Sequence, residues 1–197
     1  MPSTSTGQSV EVKRSVVLSG LRPLMFDRYS GDNKTQLDVS DKAYVMDNGQ
    51  LCMPAENLYS FLTATNTCSA PKRLLDKREY KDVCSAFQCF VVIEPEDNIP
   101  LTRKGEPIFI GKFDNDADQK SGMKVDRRVA RLEKGIPNPK VRPYLPTPWE
   151  LAFTITLLKN NEVNEALLQR IIVDGGIVVG LGTFRGRFGK FRVTKWE

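Results

Sequence analysis

Twelve residues near the C-terminal end, GLGTFRGRFGKF (180–191), hold four glycines, three phenylalanines and three basic side chains. They follow a segment patterned as a helix and precede one patterned as a strand. That order is restrictive. A dinucleotide-binding glycine loop leaves a strand and opens a helix, so that phosphate meets the positive helix N-terminus. Here Gly180 and Gly182 would lie beside a helix C-terminus, whose partial charge is negative. A P-loop is excluded as well, because Gly189-Lys190 is followed by Phe191 rather than Ser or Thr. What remains is a crossover with an accessible backbone. Gly180, Gly182, Gly186 and Gly189 admit a close neighbour without a Cβ clash, while Arg185, Arg187 and Lys190 supply positive charge. The aromatics read two ways: Phe184, Phe188 and Phe191 pack on a sheet, or Phe184 or Phe188 stacks on a base.

The patterning on either side of this stretch supplies the rest of the fold. Residues 10–21 are rich in β-branched side chains and predict a first strand. Asn48-Gly49 predicts a tight hairpin turn, and Pro54 suits the first turn of a helix whose stripe is Leu58, Phe61 and Leu62. AFQCFVVI (86–93) is almost wholly apolar and predicts a strand buried on both faces. In residues 149–158, Leu151, Phe153, Ile155 and Leu157 alternate with Thr154 and Thr156. A second helix is expected over 162–174, with Asn161 as N-cap and Gly175 as C-cap. A strand over 188–196 closes the chain. Strand, helix, strand, strand, helix, strand is an α+β order, the ferredoxin-like (RRM-like) β-α-β-β-α-β pattern. Residues 1–9 read as a disordered tail, and 10–197 as a single domain. Two insertions interrupt it, 22–53 and 96–148. The second is expected to form a large basic hairpin, with arms at 123–132 and 140–144 around GIPNP.

Charge and chemistry narrow the function. The formal net charge is +5, and the cations are clustered. One cluster lies within 120–142 and includes Arg127, Arg128, Arg131, Lys140 and Arg142. The other spans 185–195 and contains no acid. Two such clusters suit a polyanion. The chain has no histidine, which removes the usual neutral-pH general base and the Ser-His-Asp and Cys-His arrangements. The expectation is a protein that is not an enzyme. Cys52, Cys68, Cys84 and Cys89 lack zinc-site spacing and read as reduced thiols; Asp114, Asp116 and Asp118 read as a solvated loop. No metal or cofactor is expected. No apolar run approaches the ~20 residues that span a bilayer, and MPSTSTGQ lacks a signal-peptide core. The expected location is cytoplasmic.

GGIVVGLGTFRGRFGKFRV (175–193) lies between the last helix and the last strand. In that place it resembles the glycine-rich loop of the RAMP superfamily of CRISPR systems, which includes effector-complex backbone subunits. GQLCMPAENLYSFL (49–62) resembles that family's helix-opening turn, although MPAEN stands where a Gly-Ser-rich turn is usual. The 96–148 insertion resembles its basic "thumb". The ending Trp196-Glu197 is also similar to that of small phage and prophage proteins. The resemblance implies a non-catalytic protein binding single-stranded RNA, or single-stranded DNA. Arg127, Arg128, Arg131, Lys140 and Arg142 of the insertion, and Gly180, Gly182, Arg185, Gly186, Arg187 and Lys190 of the loop, would line the strand. It also implies self-association, or assembly with other effector-complex subunits, along that strand. The alternative is a phage or defence-related interaction protein whose basic surface meets an acidic protein without nucleic acid.

Overall fold

The computed structural model describes residues 11–32, 35–131 and 137–197, without the side chains of 130 and 131. The tail read as disordered, 1–9, lies outside the described residues. The protein is α+β. Its elements run β1 (Val12–Gly20), β2 (Leu24–Met25), β3 (Cys52–Pro54), α1 (Ala55–Thr63), α2 (Ala70–Leu74), α3 (Tyr80–Phe90), β4 (Val91–Glu94) and β5 (Asn98–Arg103). They continue with β6 (Glu106–Pro107), β7 (Phe113–Asp114), β8 (Ala117–Asp118), β9 (Lys124–Arg131), β10 (Pro137–Leu145), β11 (Glu150–Leu157), α4 (Glu165–Val178) and β12 (Phe191–Trp196).

The strands form two sheets. The first has the order β12-β1-β11-β5-β3, with β4 paired to β11 and β6 to β5. Its centre is the antiparallel pair β1 and β11, in register from Val12↔Leu157 to Ser19↔Glu150. The alternation read in β11 is real: Leu151, Phe153, Ile155 and Leu157 are all buried. They join Val16 and Leu18 of β1, and Leu58, Phe61 and Leu62 of α1, in one core. The Phe61 and Phe191 rings, 5.6 Å apart, tie α1 to β12. Trp149 is fully buried where β1 ends; its indole Nε1–H donates to Arg22 O at 2.8 Å.

The second sheet has the order β2-β10-β9-β8-β7. Its long hairpin pairs β9 with β10 from Tyr144↔Lys124 to Pro137↔Arg131, the two arms expected from sequence. The carbonyls of Val141 and Pro143 point away from β9, toward Lys42 Nζ (2.7 Å) and Phe26 N–H (3.0 Å). Odd-numbered residues of β10 therefore turn their backbone groups away from β9, and Pro137, Pro139 and Pro143 are all odd. The prolines cost the β9 ladder no donor and leave the outer edge of β10, beyond its short pairing with β2, poor in donors for a further strand.

Three expectations need correction. AFQCFVVI is not one strand: it is the last turns of α3 followed by β4. Cys84, Ala86 and Phe87 are buried while Gln88 and Cys89 are not, so one side of the run faces the core at helical spacing. A short apolar run does not reveal its period. Next, α4 starts later and runs longer than expected. Asn160, not Asn161, organises the turn before it, accepting from Glu162 N–H (2.9 Å) and Val163 N–H (2.8 Å). The N-cap is Asn164, whose Oδ1 accepts from Leu167 N–H at 2.9 Å. Gly175 is no C-cap but a contact point inside the helix. A Cβ there would lie 2.4 Å from Ala70 Cβ and 2.7 Å from Phe61 Cζ. Finally, β5 falls inside the segment read as the 96–148 insertion, yet it belongs to the first sheet.

The aspartates read as a solvated loop also divide. Asp116 is exposed, but Asp118 is buried. Its carboxylate accepts from Gly111 N–H (2.7 Å), Lys120 N–H (2.9 Å) and the Ser121 hydroxyl. Burial pushes its pKa up, but these hydrogen bonds outweigh burial and hold it below the ordinary value of 3.8. Among the described residues no three His, Cys, Asp or Glu side chains are grouped to hold a metal. Nor is any helix long and apolar enough to cross a membrane. All four cysteines are free, with Cys52 and Cys84 buried; burial pushes the Cys52 thiol up to about 11.

Two outcomes follow from this packing. Gly175→Ala should destabilise by about 1–3 kcal/mol in urea melts, although alanine is the better helix former, because the added methyl overpacks the α2–α4 contact. A depressed carboxylate stabilises fully above its unfolded pKa and loses that contribution as pH falls through the folded value. Stability should therefore fall on acidification below pH 3.8, the ordinary Asp value. Asp118→Asn should flatten that part of the stability–pH curve, measured by denaturant melts between about pH 4.5 and 2.5.

Candidate nucleic-acid interface

The two basic clusters meet. The crossover from α4 to β12 lies against the segment that leads from β1 into β2. Thr183 N–H donates to Met25 O (3.0 Å), Gly189 N–H to Pro23 O (2.7 Å), and the Leu21 and Arg22 N–H groups to Lys190 O (2.7 and 3.1 Å). Because β2 pairs with β10, the crossover is fixed beside the hairpin. In the β9–β10 register, Arg128 lies opposite Lys140, Asp126 opposite Arg142 and Lys124 opposite Tyr144. These even-numbered residues share one hairpin face, and that face reaches the crossover. The Arg128 guanidinium carbon sits 5.0 Å from the Phe184 ring centroid and 5.3 Å from that of Phe188; Tyr144 and Phe188 are 6.3 Å apart.

The glycines read as access for a nucleic-acid backbone are mostly used internally. Gly180, Gly182, Gly186 and Gly189 all have positive φ. A Cβ on Gly182 would lie 2.5 Å from Met25 O, and one on Gly180 would lie 2.6 Å from Gly189 C. Their missing side chains make room for the protein's own backbone. Only Gly186 faces open space, with nothing within 4 Å of its Cβ position.

Arg185, expected to neutralise phosphate, points inward instead. Its Nη1–H donates to Cys68 O (2.9 Å), its Nη2–H groups to Asn57 O (3.3 Å) and Ser60 Oγ (3.2 Å), and its Nε–H to Gly182 O (3.4 Å). Burial pushes its pKa below the ordinary value, with the Cys68 thiol acting weakly the other way. The planar fork satisfies carbonyls of α1 and of the α1–α2 connection. It is a fastening for the crossover. Phe191 is likewise buried in the core, as the packing reading expects, while Phe184 is 43% exposed.

The arginines of the hairpin are paired with aspartates. Arg127 forks onto Asp116 at 2.6 and 3.0 Å, Arg128 onto Asp126, and Arg142 Nε–H donates to Asp27 at 2.6 Å. The side chain of Arg131 lies outside the described residues. Among the described residues of the two clusters, Lys120, Lys124, Lys140, Arg187, Lys190 and Arg192 have no acidic partner, nor has the inward-turned Arg185. Counting cations in the sequence missed this division. One signal was available: Asp126 and Arg128 are two apart on a strand, which places them on one face. Asp27 and Asp116 are too remote in sequence from their partners for any comparable sign.

No protein-family model and no curated protein matches the sequence. The fold is similar to that of a chain in the cryo-EM structure of the type III-B Cmr-beta bound to cognate target RNA. The TM-score is 0.55 at 10% identity, over 95% of this chain and 60% of that one. This chain thus spans about three fifths of that neighbour's length, and the likeness is one of fold.

The inward and outward arginines should separate in stability measurements. Arg185→Ala leaves several carbonyls without their donor and should cost about 1–3 kcal/mol in urea melts, with Arg185→Lys recovering little because one ammonium cannot replace the fork. Arg187→Ala, at an exposed position, should stay within about 0.5 kcal/mol of the parent.

Proposed function

We propose that the protein is a non-catalytic, RAMP-like binding protein for single-stranded nucleic acid, RNA foremost, built on a ferredoxin-like core. The observation that carries this is the junction of hairpin and crossover. Arg128 and Tyr144 on one side meet Phe184 and Phe188 on the other, so two separate basic segments form one surface. The unpaired cations Lys124 and Lys140 of the hairpin, and Arg187 and Lys190 of the crossover, would contact phosphates. The arginines paired with Asp116, Asp126 and Asp27 hold the hairpin in shape. The fold likeness to a chain of an RNA-bound complex supports the choice of RNA. The absence of histidine favours binding over ribonuclease chemistry.

Assembly with further subunits along the strand belongs to the same reading. Val173, Ile177 and Val178 of α4 are 38–48% exposed, and such residues suit a protein neighbour. They also favour the second reading, an interaction protein that needs no nucleic acid.

Binding to a fluorescent single-stranded RNA should be measurable at low salt, with log K falling against log salt at a slope of about −3, from four or five phosphate contacts. Replacing Lys140, Arg187 and Lys190 together by Ala should weaken binding alike across sequences and flatten the slope by about 2. Absence of binding to any single strand at low salt, together with a stoichiometric protein complex free of nucleic acid, would establish the second reading instead.

A further inference from the structure

Phosphate contacts leave the exposed ring of Phe184 without a role. Its backbone is in the left-handed region, with φ 57, where a bulky residue is uncommon and strained. Its side chain is 43% exposed, although phenylalanine is ordinarily buried. The ring is nevertheless held. Phe188 stacks on it at 5.8 Å and 27°. The Arg128 guanidinium lies 5.0 and 5.3 Å from the two ring centroids, so the three groups form a nearly equilateral triangle. Asp126 fixes Arg128 in turn. The backbone around the ring is pinned as well: Arg187 and Phe188 N–H both donate to Phe184 O (3.4 and 3.2 Å), and Gly186 N–H to Val179 O (2.6 Å). Next to this rigid ring are the open space at Gly186 and the exposed, unpaired Arg187.

We propose that the exposed part of the Phe184 ring is a stacking subsite for one unpaired base, with Phe188 and Arg128 as its backing; this rests on the single-strand reading above. A base offers a π-face whatever its identity, so stacking adds affinity without sequence preference. The ring is ordered before binding, so little conformational entropy is lost when the base arrives. A duplex keeps its bases stacked on one another and must unstack to offer one. The subsite thus favours single strands over duplexes, which phosphate contacts alone do not.

The test compares two probes of equal length and charge, an RNA 12-mer and an abasic oligomer with the same backbone, by fluorescence anisotropy at one salt concentration. The parent protein should bind the base-bearing probe about 5- to 150-fold more tightly, the factor carried by one stacked base. Phe184→Gly, which suits the positive φ and should keep the fold by its urea midpoint, is expected to bring that ratio near 1. Phe184→Trp should preserve it. A 2-aminopurine base in the probe should be quenched by the parent and not by Phe184→Gly. If Phe184→Gly leaves the ratio unchanged, or the parent shows no preference, the subsite is overturned while the phosphate-binding reading stands. If the parent binds neither probe, both fall. If Phe184→Gly instead abolishes self-association and leaves the ratio unchanged, the ring belongs to a contact between copies and the subsite is overturned.

Discussion

The hydrogen-bonded contact between the α4–β12 crossover and residues 21–25 joins the two halves of the molecule. Residues 21–25 carry the chain out of the first sheet and into the second, so whatever packs on them is held by both. The crossover does this through backbone groups: Thr183 to Met25, Gly189 to Pro23, and Lys190 O accepting from Leu21 and Arg22. Backbone-to-backbone contact at this distance requires that side chains be absent, which explains Gly180, Gly182 and Gly189 more directly than a ligand does. Arg185 then fastens the far side of the crossover to α1 and to Cys68. With the crossover fixed at both ends, the hairpin face carrying Arg128 and Tyr144 has a rigid surface to lie on.

The parts of this arrangement legible in the sequence were those written as periodic patterns or turn chemistry. Leu151, Phe153, Ile155 and Leu157 alternate because one face of β11 is buried, and the hairpin arms are set off by Gly and Pro. The Asn48-Gly49 turn and the place of the crossover between α4 and β12 were equally plain. The parts that were not legible depend on contacts between remote residues. Gly175 looks like a helix terminator locally, yet it and Gly176 sit inside α4 where Ala70, Phe61 and Phe191 come too close for a side chain. That is tertiary packing overriding local preference. Asp118 looked like one of three solvated acids until Gly111, Lys120 and Ser121 were seen to surround it. In AFQCFVVI the sequence is ambiguous in itself, since helix and strand both bury such a run.

The same distinction governs the site. Clustered positive charge draws attention to the hairpin and the crossover but does not say which of their cations lack a carboxylate partner. Arg127, Arg128 and Arg142 each have a carboxylate within hydrogen-bonding distance, and a paired charge attracts a polyanion far less than a free one. Lysines at 124 and 140 and the cations at 187 and 190 carry the net field of the surface. Guanidinium suits the pairing role, because its fork can grip a carboxylate with two hydrogen bonds and still stack on a ring. Arg128 does both at once, with Asp126 and with the phenylalanines. The division of labour follows side-chain chemistry: most arginines build the surface, while lysines, Arg187 and Arg192 charge it.

Phe184 and Arg185 show how one backbone conformation sets both roles. They are adjacent, yet one ring faces solvent and the other side chain is turned into the fold. The left-handed φ at Phe184 turns the chain so that this split is possible, and glycine on either side of the pair, at 182 and 186, lets the turn close. With φ left-handed there, the guanidinium reaches Cys68, Asn57 and Ser60 while the ring reaches Phe188 and Arg128. Strain at Phe184 is therefore supported from two directions, by the carbonyls that hold Arg185 and by the stack that holds the ring. A glycine at 184 would satisfy the backbone with less strain. A phenylalanine keeps the strain but gains the contacts with Phe188 and Arg128, and the proposed base subsite would give its exposed part a use.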